Sequence, residues 1–461
     1  MQIASYSKLF GCNLYGWIRI NPMALKIIDT PEFQRMRNIQ QLAFCQYVYP
    51  SATHSRFEHS IGVYHLAGKM LDKIQQQYPD KEYIIPDISP NPMKLNSTII
   101  ECIKIGGLCH DIGHGPYSHV FDKILLKNSS HENRYHETRS CLITEILCKR
   151  ELPKEIDDKH ITFIKSIIKP KGYHKGALYQ IVANYLNGID VDKFDYLARD
   201  SKNLGIHTTF NAERLINEFI IDQNDNIAYP KHCSYDILEL FHGRYMMHKK
   251  VYSHKTVKLI ETMFKDLFVK IDPIFEISKS IENMKFFCEL TDDTIFYYLN
   301  ICKSSKIFYN NLDKIQFDAI EDATHIYQNI ITRNLYQQIA QVTGANSRTY
   351  IEDFCEYFFL KYPLVDHNDL QIVHIIIGLV GEDSADPFKS VYFYNKKEDT
   401  NTFTIKKSSI SGLINNQLQE IHWQLICKNK LIYSDLINEY KLFQKTEPFE
   451  PIGNNSIDKS T

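Results

Sequence analysis

Gly106-Gly107-Leu108-Cys109-His110-Asp111-Ile112-Gly113-His114-Gly115-Pro116-Tyr117-Ser118-His119 is the stretch whose reading decides this chain. A His-Asp dipeptide closes an apolar run that begins at Ile99 and Ile100. Positions four apart share a face of a helical or turn-like backbone, so His110 and His114 can look into one cavity. Adjacent His110 and Asp111 can both reach one ion only where a helix is ending, and Gly113, Gly115 and Pro116 supply that ending. A lone His-Asp pair carries little. The same pair in a glycine-rich helix end, followed by two more histidines, is a strong signal of a metal site.

Upstream of it, Leu25, Ile28, Phe33, Met36, Ile39 and Leu42 recur at helical intervals, and Thr30-Pro31 divides them into two short helices. Residues 1–21 read as irregular. The loop Tyr47-Val48-Tyr49-Pro50-Ser51-Ala52-Thr53-His54 opens a helix with His59 at its start and Val63, Ala67, Met70 and Ile74 as its apolar stripe. Residues 85–97, with three prolines, read as a linker, and residues 127–136 as a polar loop. Downstream, a helix from about Leu178 carries Gly188 to Asp200, with Asp192, Tyr196 and Asp200 on one face and Asp195 spaced to pair with Arg199. A further helix from Tyr235 to about Phe268 places Arg244, His248, Tyr252 and Lys255 on one stripe. After about residue 380, Ser390 to Tyr394 and Thr402 to Ile405 read as short strands and Leu413 to Cys427 as a helix. The expected architecture is mainly α: a helical core over residues 1–275, a smaller α+β C-terminal lobe over 276–445, and a disordered tail over 446–461.

Bulk properties narrow the function. Hydrophobic residues at 44% and charged residues at 23% describe an ordinary globular chain. With 53 basic against 55 acidic side chains the formal charge is −2, so no global field attracts nucleic acid and any anion must be held by a local cluster. The 11 cysteines form no CxxC pair, which reads as reduced thiols in the cytoplasm or nucleus. The longest apolar run, Ile372 to Val380, is too short to span a bilayer.

His59, His110, Asp111 and Asp192 offer two imidazoles and two carboxylates from three helices. This mixed nitrogen and oxygen set suits Mn, Fe, Zn or Ni better than Mg or a thiolate-bound zinc. Such an ion can polarise a phosphate oxygen or lower the pKa of a bound water. Arg56 stands three residues before His59 and Lys193 next to Asp192; Arg244 is a third cation, and several fixed cations are what a triphosphate requires. His114, His119, Asp122, His136 and Glu137 remain as candidates for proton transfer. Each has a plainer reading alone: a satisfied polar group for His59, a cap for Asp192, a solvated cation for Arg244, core aromatics for Tyr196 and Tyr252. Their co-occurrence favours chemistry.

At these residues the chain resembles the HD-domain phosphohydrolase superfamily. Within it, the chain closely resembles the dNTP triphosphohydrolases that occur in animals as SAM-and-HD-domain proteins, with no SAM domain expected here. The resemblance rests on Ile28-Asp29-Thr30-Pro31-Glu32-Phe33-Gln34-Arg35, Ser55-Arg56-Phe57-Glu58-His59-Ser60-Ile61-Gly62-Val63, the His110 segment, Gly188 to Asp200, and Tyr252-Ser253-His254-Lys255. Weaker similarity continues through Leu290-Thr291-Asp292 and Arg333-Asn334-Leu335-Tyr336.

The resemblance implies a metal-dependent hydrolase that converts a dNTP to a deoxynucleoside and triphosphate. Its metal ligands fall on His59, His110, Asp111 and Asp192, holding one Fe, Mn or Zn ion, with Mg accompanying the nucleotide. The triphosphate clamp falls on Arg56, Lys193 and Arg244, with His119 near the α-phosphate. His114, Asp122 and His136 match catalytic groups, with Glu137 as partner. His131-Glu132 and His136-Glu137 both offer the family's His-Glu pair, and spacing selects the second. Deoxyribose contacts fall on Gln41, Leu42, Tyr196, Asp200 and Tyr252. Lys8, Asp29, Gln34, Arg37, Arg214, His254 and Lys255 match an effector site for GTP or a dNTP that assembles a homo-oligomer, dimer or tetramer. The family's Asp-Pro-x-His-Gly is replaced by Cys12-Asn13-Leu14-Tyr15-Gly16, which predicts altered effector preference. The rival expectations are a hydrolase of another nucleotide, or a non-catalytic nucleotide sensor or single-stranded nucleic-acid binder.

Overall fold

The computed structural model of the protein describes residues 7–207, 210–305, 312–344, 346–379, 386–396, 401–412 and 418–449. By Cα proximity the chain divides into two compact units. The first comprises Met1–Gly243, Ile271–Phe317 and Asp386–Asn416; the second comprises Arg244–Lys270, Asp318–Ala385 and Gln417–Thr461. Compared with an expected core of 1–275 and lobe of 276–445, the two units interleave along the chain.

The first unit opens with an antiparallel hairpin, β1 (Lys8–Cys12) and β2 (Gly16–Ile20). Two short helices follow, α1 (Pro22–Ile28) and α2 (Pro31–Gln34), each entered through a side-chain cap (Asn21, Thr30) with proline at the first helical position. The long helix α3 (Arg56–Gln77) buries Val63, Ala67, Met70 and Ile74. A second hairpin, β3 (Glu82–Ile85) and β4 (Ser89–Lys94), leads to α4 (Ser97–Cys109), capped by Asn96. Then come α5 (His136–Glu151), α6 (Asp158–Ile168), α7 (Val191–Leu204) and α8 (Ala212–Glu218). Helix α4 lies between α3 and α6, and α7 packs on the other side of α3. The layer is held by the apolar side chains of α4, with Ile99, Ile103, Ile105 and Leu108 fully buried. Strands β5 (Ile220–Ile221), β6 (Ile227–Pro230) and β9 (Tyr392–Tyr394) form a small mixed sheet, β6 and β9 running parallel.

Helix α9 (Ser234–Met247) crosses the division between the units and continues as a π-helical turn over His248–Tyr252 before α10 (Lys255–Phe275). The second unit is built on the antiparallel sheet β7 (Gln337–Thr343), β10 (Gln419–Cys427) and β8 (Leu370–Gly378), with β10 central. Its core joins Ile339, Val342 and Leu425 of the sheet to Phe354 and Phe358 of one helix (Ser347–Lys361) and Leu436, Tyr440 and Phe443 of another (Tyr433–Thr446). The molecule is thus mainly α with small sheets. No helix among the described residues is long and apolar enough to cross a membrane.

Several expectations need correction. Residues 8–20 form a hairpin rather than irregular chain. The supposed linker over 85–97 contains β4, whose prolines are tolerated because a two-stranded ribbon leaves edges that need no N–H donor. The helix expected from Leu178 begins only at Val191, where Asp190 caps it; a 3₁₀ turn and loop precede it. Tyr235 to Phe268 is two helices broken by the π-turn. Residues 419–427, expected as helix, are the central strand β10, while 413–417 lie outside the described residues. Thr402 to Ile405 contributes only an isolated bridge, Phe393 to Phe403. Residues 450–461 of the expected tail also lie outside the described residues.

Candidate active site

Helix α4 ends at Cys109, and His110 is its C-cap, so the chain turns away as Asp111 is reached. His59, in the first turns of α3, and Asp192, in the first turn of α7, meet His110 there. The His59 and His110 Nε2 atoms are 3.2 Å apart, and Asp192 Oδ1 lies 3.0 Å from the first and 3.3 Å from the second. Asp111 approaches each imidazole at 3.5 Å.

The other ring nitrogens decide what this cluster is. His59 Nδ1 is 2.8 Å from Asp195 Oδ2, and His110 Nδ1 is 2.8 Å from the Gly107 carbonyl oxygen. Carbonyls and carboxylates only accept, so each Nδ1 carries the hydrogen and each Nε2 turns a lone pair inward. Two imidazole lone pairs and carboxylate oxygens facing one another repel unless cationic charge lies among them. The protein's own answer is protonation: burial pulls His59 down, but Asp192, Asp195 and Asp111 outweigh it and raise it to about 10. His110 is likewise lowered by burial and raised on balance by Asp111 and Asp192. A divalent ion satisfies the same demand, and the residues present fit one: imidazole nitrogen and carboxylate oxygen, with Asp195 and the Gly107 carbonyl orienting the ligands from behind.

A second group adjoins the first through Asp111, whose Oδ1 lies 3.3 Å from His114 Nε2. The His114 ring stacks on His136 with centroids 3.9 Å apart, and His119 stands edge-on to both. His136 opens α5, where Asp122 accepts from its backbone N–H (3.0 Å) and its Nδ1 (2.8 Å), leaving Nε2 as the acceptor, 3.6 Å from Glu137. Burial raises the Asp122 carboxyl, yet His136 and Arg139 hold it down to about 2. His114 is depressed well below the usual imidazole range, by burial first and by Arg56 and His136 next. Neither of its ring nitrogens makes a hydrogen bond. Three imidazoles gather here, with Asp111, Asp122 and Glu137 as well as Arg56 and Arg139 around them. His131, by contrast, is exposed and caps a 3₁₀ turn.

Arg56, 2% exposed, bridges the two groups by donating to Asp111 and, at 2.7 Å, to Ser118 Oγ. Lys193 Nζ lies 3.8 Å from Asp190 Oδ1. Gln41 and Leu42 are buried on the segment that runs beside His54, and Asp200 pairs with His54 Nε2 at 2.8 Å. Tyr196 is half-buried on α7. Arg244 and Tyr252 belong to the second unit, where Arg244 donates to the Gly378 carbonyl at 2.6 Å. Of the effector candidates, Lys8, Asp29 and Arg37 are exposed on the first unit, and Arg37 lies over the Phe57 ring and donates to Gln34. Arg214 pairs with Asp236 at 3.0 Å, and His254 and Lys255 lie in the second unit.

Sequence reasoning missed the arginines that hold this architecture. Arg35 donates to the carbonyls of Ile112, His114 and Leu290, and Arg139 to those of Gly113 and Asn133 and to Asp122. Arg139, one helical turn after His136, carried a detectable signal; Arg35 lies within the quoted Asp29 stretch. Asp195 was noted as a partner of Arg199 but not as the support of His59.

The helical layer and its paired His-Asp groups define a class, and residues 56–200 match the HD domain family. The chain belongs to the HD-domain phosphohydrolase superfamily. It is similar to an HD domain-containing protein of Acanthamoeba polyphaga mimivirus, 56% identical over 448 residues, which are 97% of this chain and 98% of the relative. It is similar also to the deoxynucleoside triphosphate triphosphohydrolase SAMHD1 homolog of Dictyostelium discoideum, at 34% over 428 residues, 92% of this chain and 78% of the relative. The deoxynucleoside triphosphate triphosphohydrolase SAMHD1 of Homo sapiens is 30% identical over 468 residues, 91% of this chain and 70% of the relative.

Proposed function

We propose that the chain is a metal-dependent deoxynucleoside triphosphate triphosphohydrolase. The observation that carries this reading is the convergence of His59 Nε2, His110 Nε2 and Asp192 Oδ1, with tautomers fixed from behind, beside a buried arginine. The names of the relatives supply the substrate class. Water adds to the α-phosphorus, the bond to the 5′ oxygen breaks, and the departing oxygen takes up a proton, so that deoxynucleoside and triphosphate leave.

A transition-metal ion held by His59, His110, Asp111 and Asp192 supplies Lewis acidity toward phosphate and acidifies water. Arg56 and Lys193 offset the charge of the triphosphate. His136, held by Asp122 in the tautomer with Nε2 as acceptor, can take up a proton at that nitrogen, which also faces Glu137, and His114 and His119 line the site beside its ring. Gln41, Leu42, Tyr196 and Asp200 are the sugar contacts in this reading, and a tyrosine packed against C2′ excludes a hydroxyl there.

Purified protein supplied with each dNTP in turn, with products separated chromatographically and bound metal measured, tests the reading. Triphosphate plus deoxynucleoside is the expected product pair; diphosphate or monophosphate products would replace this reading with another hydrolase. Asp192→Asn is expected to abolish release while the thermal midpoint stays within a few degrees. Full activity in that variant removes the metal assignment.

A further inference from the structure

Asp292 has no part in the chemistry above, although Leu290-Thr291-Asp292 is among the stretches of family resemblance. Its side chain is buried at 7% exposure, and its two oxygens are divided between two distant segments. Oδ2 accepts the Gln40 N–H at 2.8 Å, and Oδ1 accepts the Tyr117 N–H at 2.6 Å. The Tyr117 hydroxyl donates back to the Asp292 carbonyl, and the Asp292 N–H donates to the Asn38 carbonyl at 3.2 Å. Tyr117 and Ser118 hold φ values of 59° and 57°, a left-handed backbone that L-residues seldom adopt in succession. Something outside the turn must hold it, and the carboxylate is placed to do so.

The consequence reaches the site through Ser118. Its hydroxyl donates to the Gln40 carbonyl at 2.6 Å and accepts from Arg56 Nε at 2.7 Å. His119 is the next residue. Gln40 in turn pairs with Ser55 across an antiparallel bridge, and Ser55 precedes Arg56. Burial pushes the Asp292 carboxyl up to about 7 against the pull of its two amide donors, a penalty that a surface cap would not carry.

We infer that Asp292 is a positioning residue whose carboxylate locks the Tyr117–Ser118 turn onto the Gln40–Gln41 segment and so aims Arg56 and His119 at the phosphate chain. The inference rests on the hydrolase reading for the identity of what is aimed at, not for the clamp itself. Asparagine cannot replace the clamp, because it offers one acceptor and turns an NH₂ toward the other amide.

Asp292→Asn and Asp292→Ala are compared with the unsubstituted protein in three measurements. These are hydrogen exchange at residues 38–42 and 114–121 with α4 as control, the affinity for inorganic tripolyphosphate by calorimetry, and KM and kcat on each dNTP. Exchange at both segments is expected to rise tenfold or more while α4 is unchanged, with tripolyphosphate affinity weakened and KM raised at least tenfold. Unchanged exchange at the two segments overturns the clamp. Unchanged KM and affinity, with kcat falling only as the folded fraction falls, reduces Asp292 to a structural staple and overturns the inference. If the unsubstituted protein releases no triphosphate from any dNTP, the hydrolase reading falls alone, and the exchange and tripolyphosphate measurements still decide on Asp292.

Discussion

The hydrogen on one ring nitrogen of His59 separates a metal ligand from a proton carrier, and Asp195 controls it. Asp195 is fully buried and also accepts two hydrogen bonds from Arg199, each at 2.8 Å. In Asp195→Asn the amide can donate to Nδ1 and drive the hydrogen to Nε2, where it blocks coordination. Metal affinity measured by calorimetry is expected to fall about 10- to 100-fold, and an unchanged affinity would remove Asp195 from this role. Asp122 carries a pH signature. Its carboxyl is held down to about 2, so its contribution is present above the unfolded pKa near 4 and lost as pH falls toward 2. Asp122→Asn should cost roughly 2 kcal/mol at neutral pH, with the gap from the unsubstituted protein closing in denaturant titrations below about pH 4. A gap constant with pH would contradict the ion-pair account. The Asp195–Arg199 pair was legible at helical spacing, whereas its bond to His59, 136 residues away in sequence, was not.

The elements meet at glycines. A Cβ on Gly62 would fall inside the contact radius of Asp195 Oδ1 and Arg199 Nη2, so only glycine lets α3 approach α7 closely enough for Asp195 to reach His59. Gly68, two turns along the same helix, would place its Cβ 3.4 Å from Lys104 Cε, an ordinary contact. Gly62→Ala is therefore expected to lower stability by about 1–3 kcal/mol and to reduce metal content. Gly68→Ala should raise stability by up to about 1 kcal/mol. Thermal and denaturant unfolding of both variants checks the pair, and equal effects would refute the close-approach argument. The sequence marked α3 and α4 well because a buried stripe at 3.6-residue spacing is a strong signal. It marked the hairpins poorly, because β1 and β2 are only five residues long and β4 contains two prolines. In β10 apolar residues stand at 421, 423 and 425, but Leu418, Ile421 and Leu425 also suit a helix, and only the pairing with β7 and β8 resolves the choice.

For the whole molecule, the proposal of nucleotide-driven assembly has a direct optical reporter. Trp17 on β2 is 74% exposed and lies opposite Gly11 on β1, the strand that begins with the effector candidate Lys8. GTP together with dNTPs is expected to shift the sedimentation coefficient to a dimer or tetramer and to change the iodide quenching of Trp17, read in a Trp423→Phe background. One unchanged species with and without nucleotide would end that proposal. The linear order of residues determined the mainly helical class, the two histidines and two aspartates brought to one place, and the family, because these depend on local periodicity and on short motifs that survive in one dimension. Only the tertiary structure decided which nitrogen of each imidazole faces inward, how the two units divide an interleaved chain, and that Asp292, Arg35 and Arg139 hold the turn after α4. Those outcomes depend on hydrogen bonds between segments tens to hundreds of residues apart, and such bonds leave no period in the sequence.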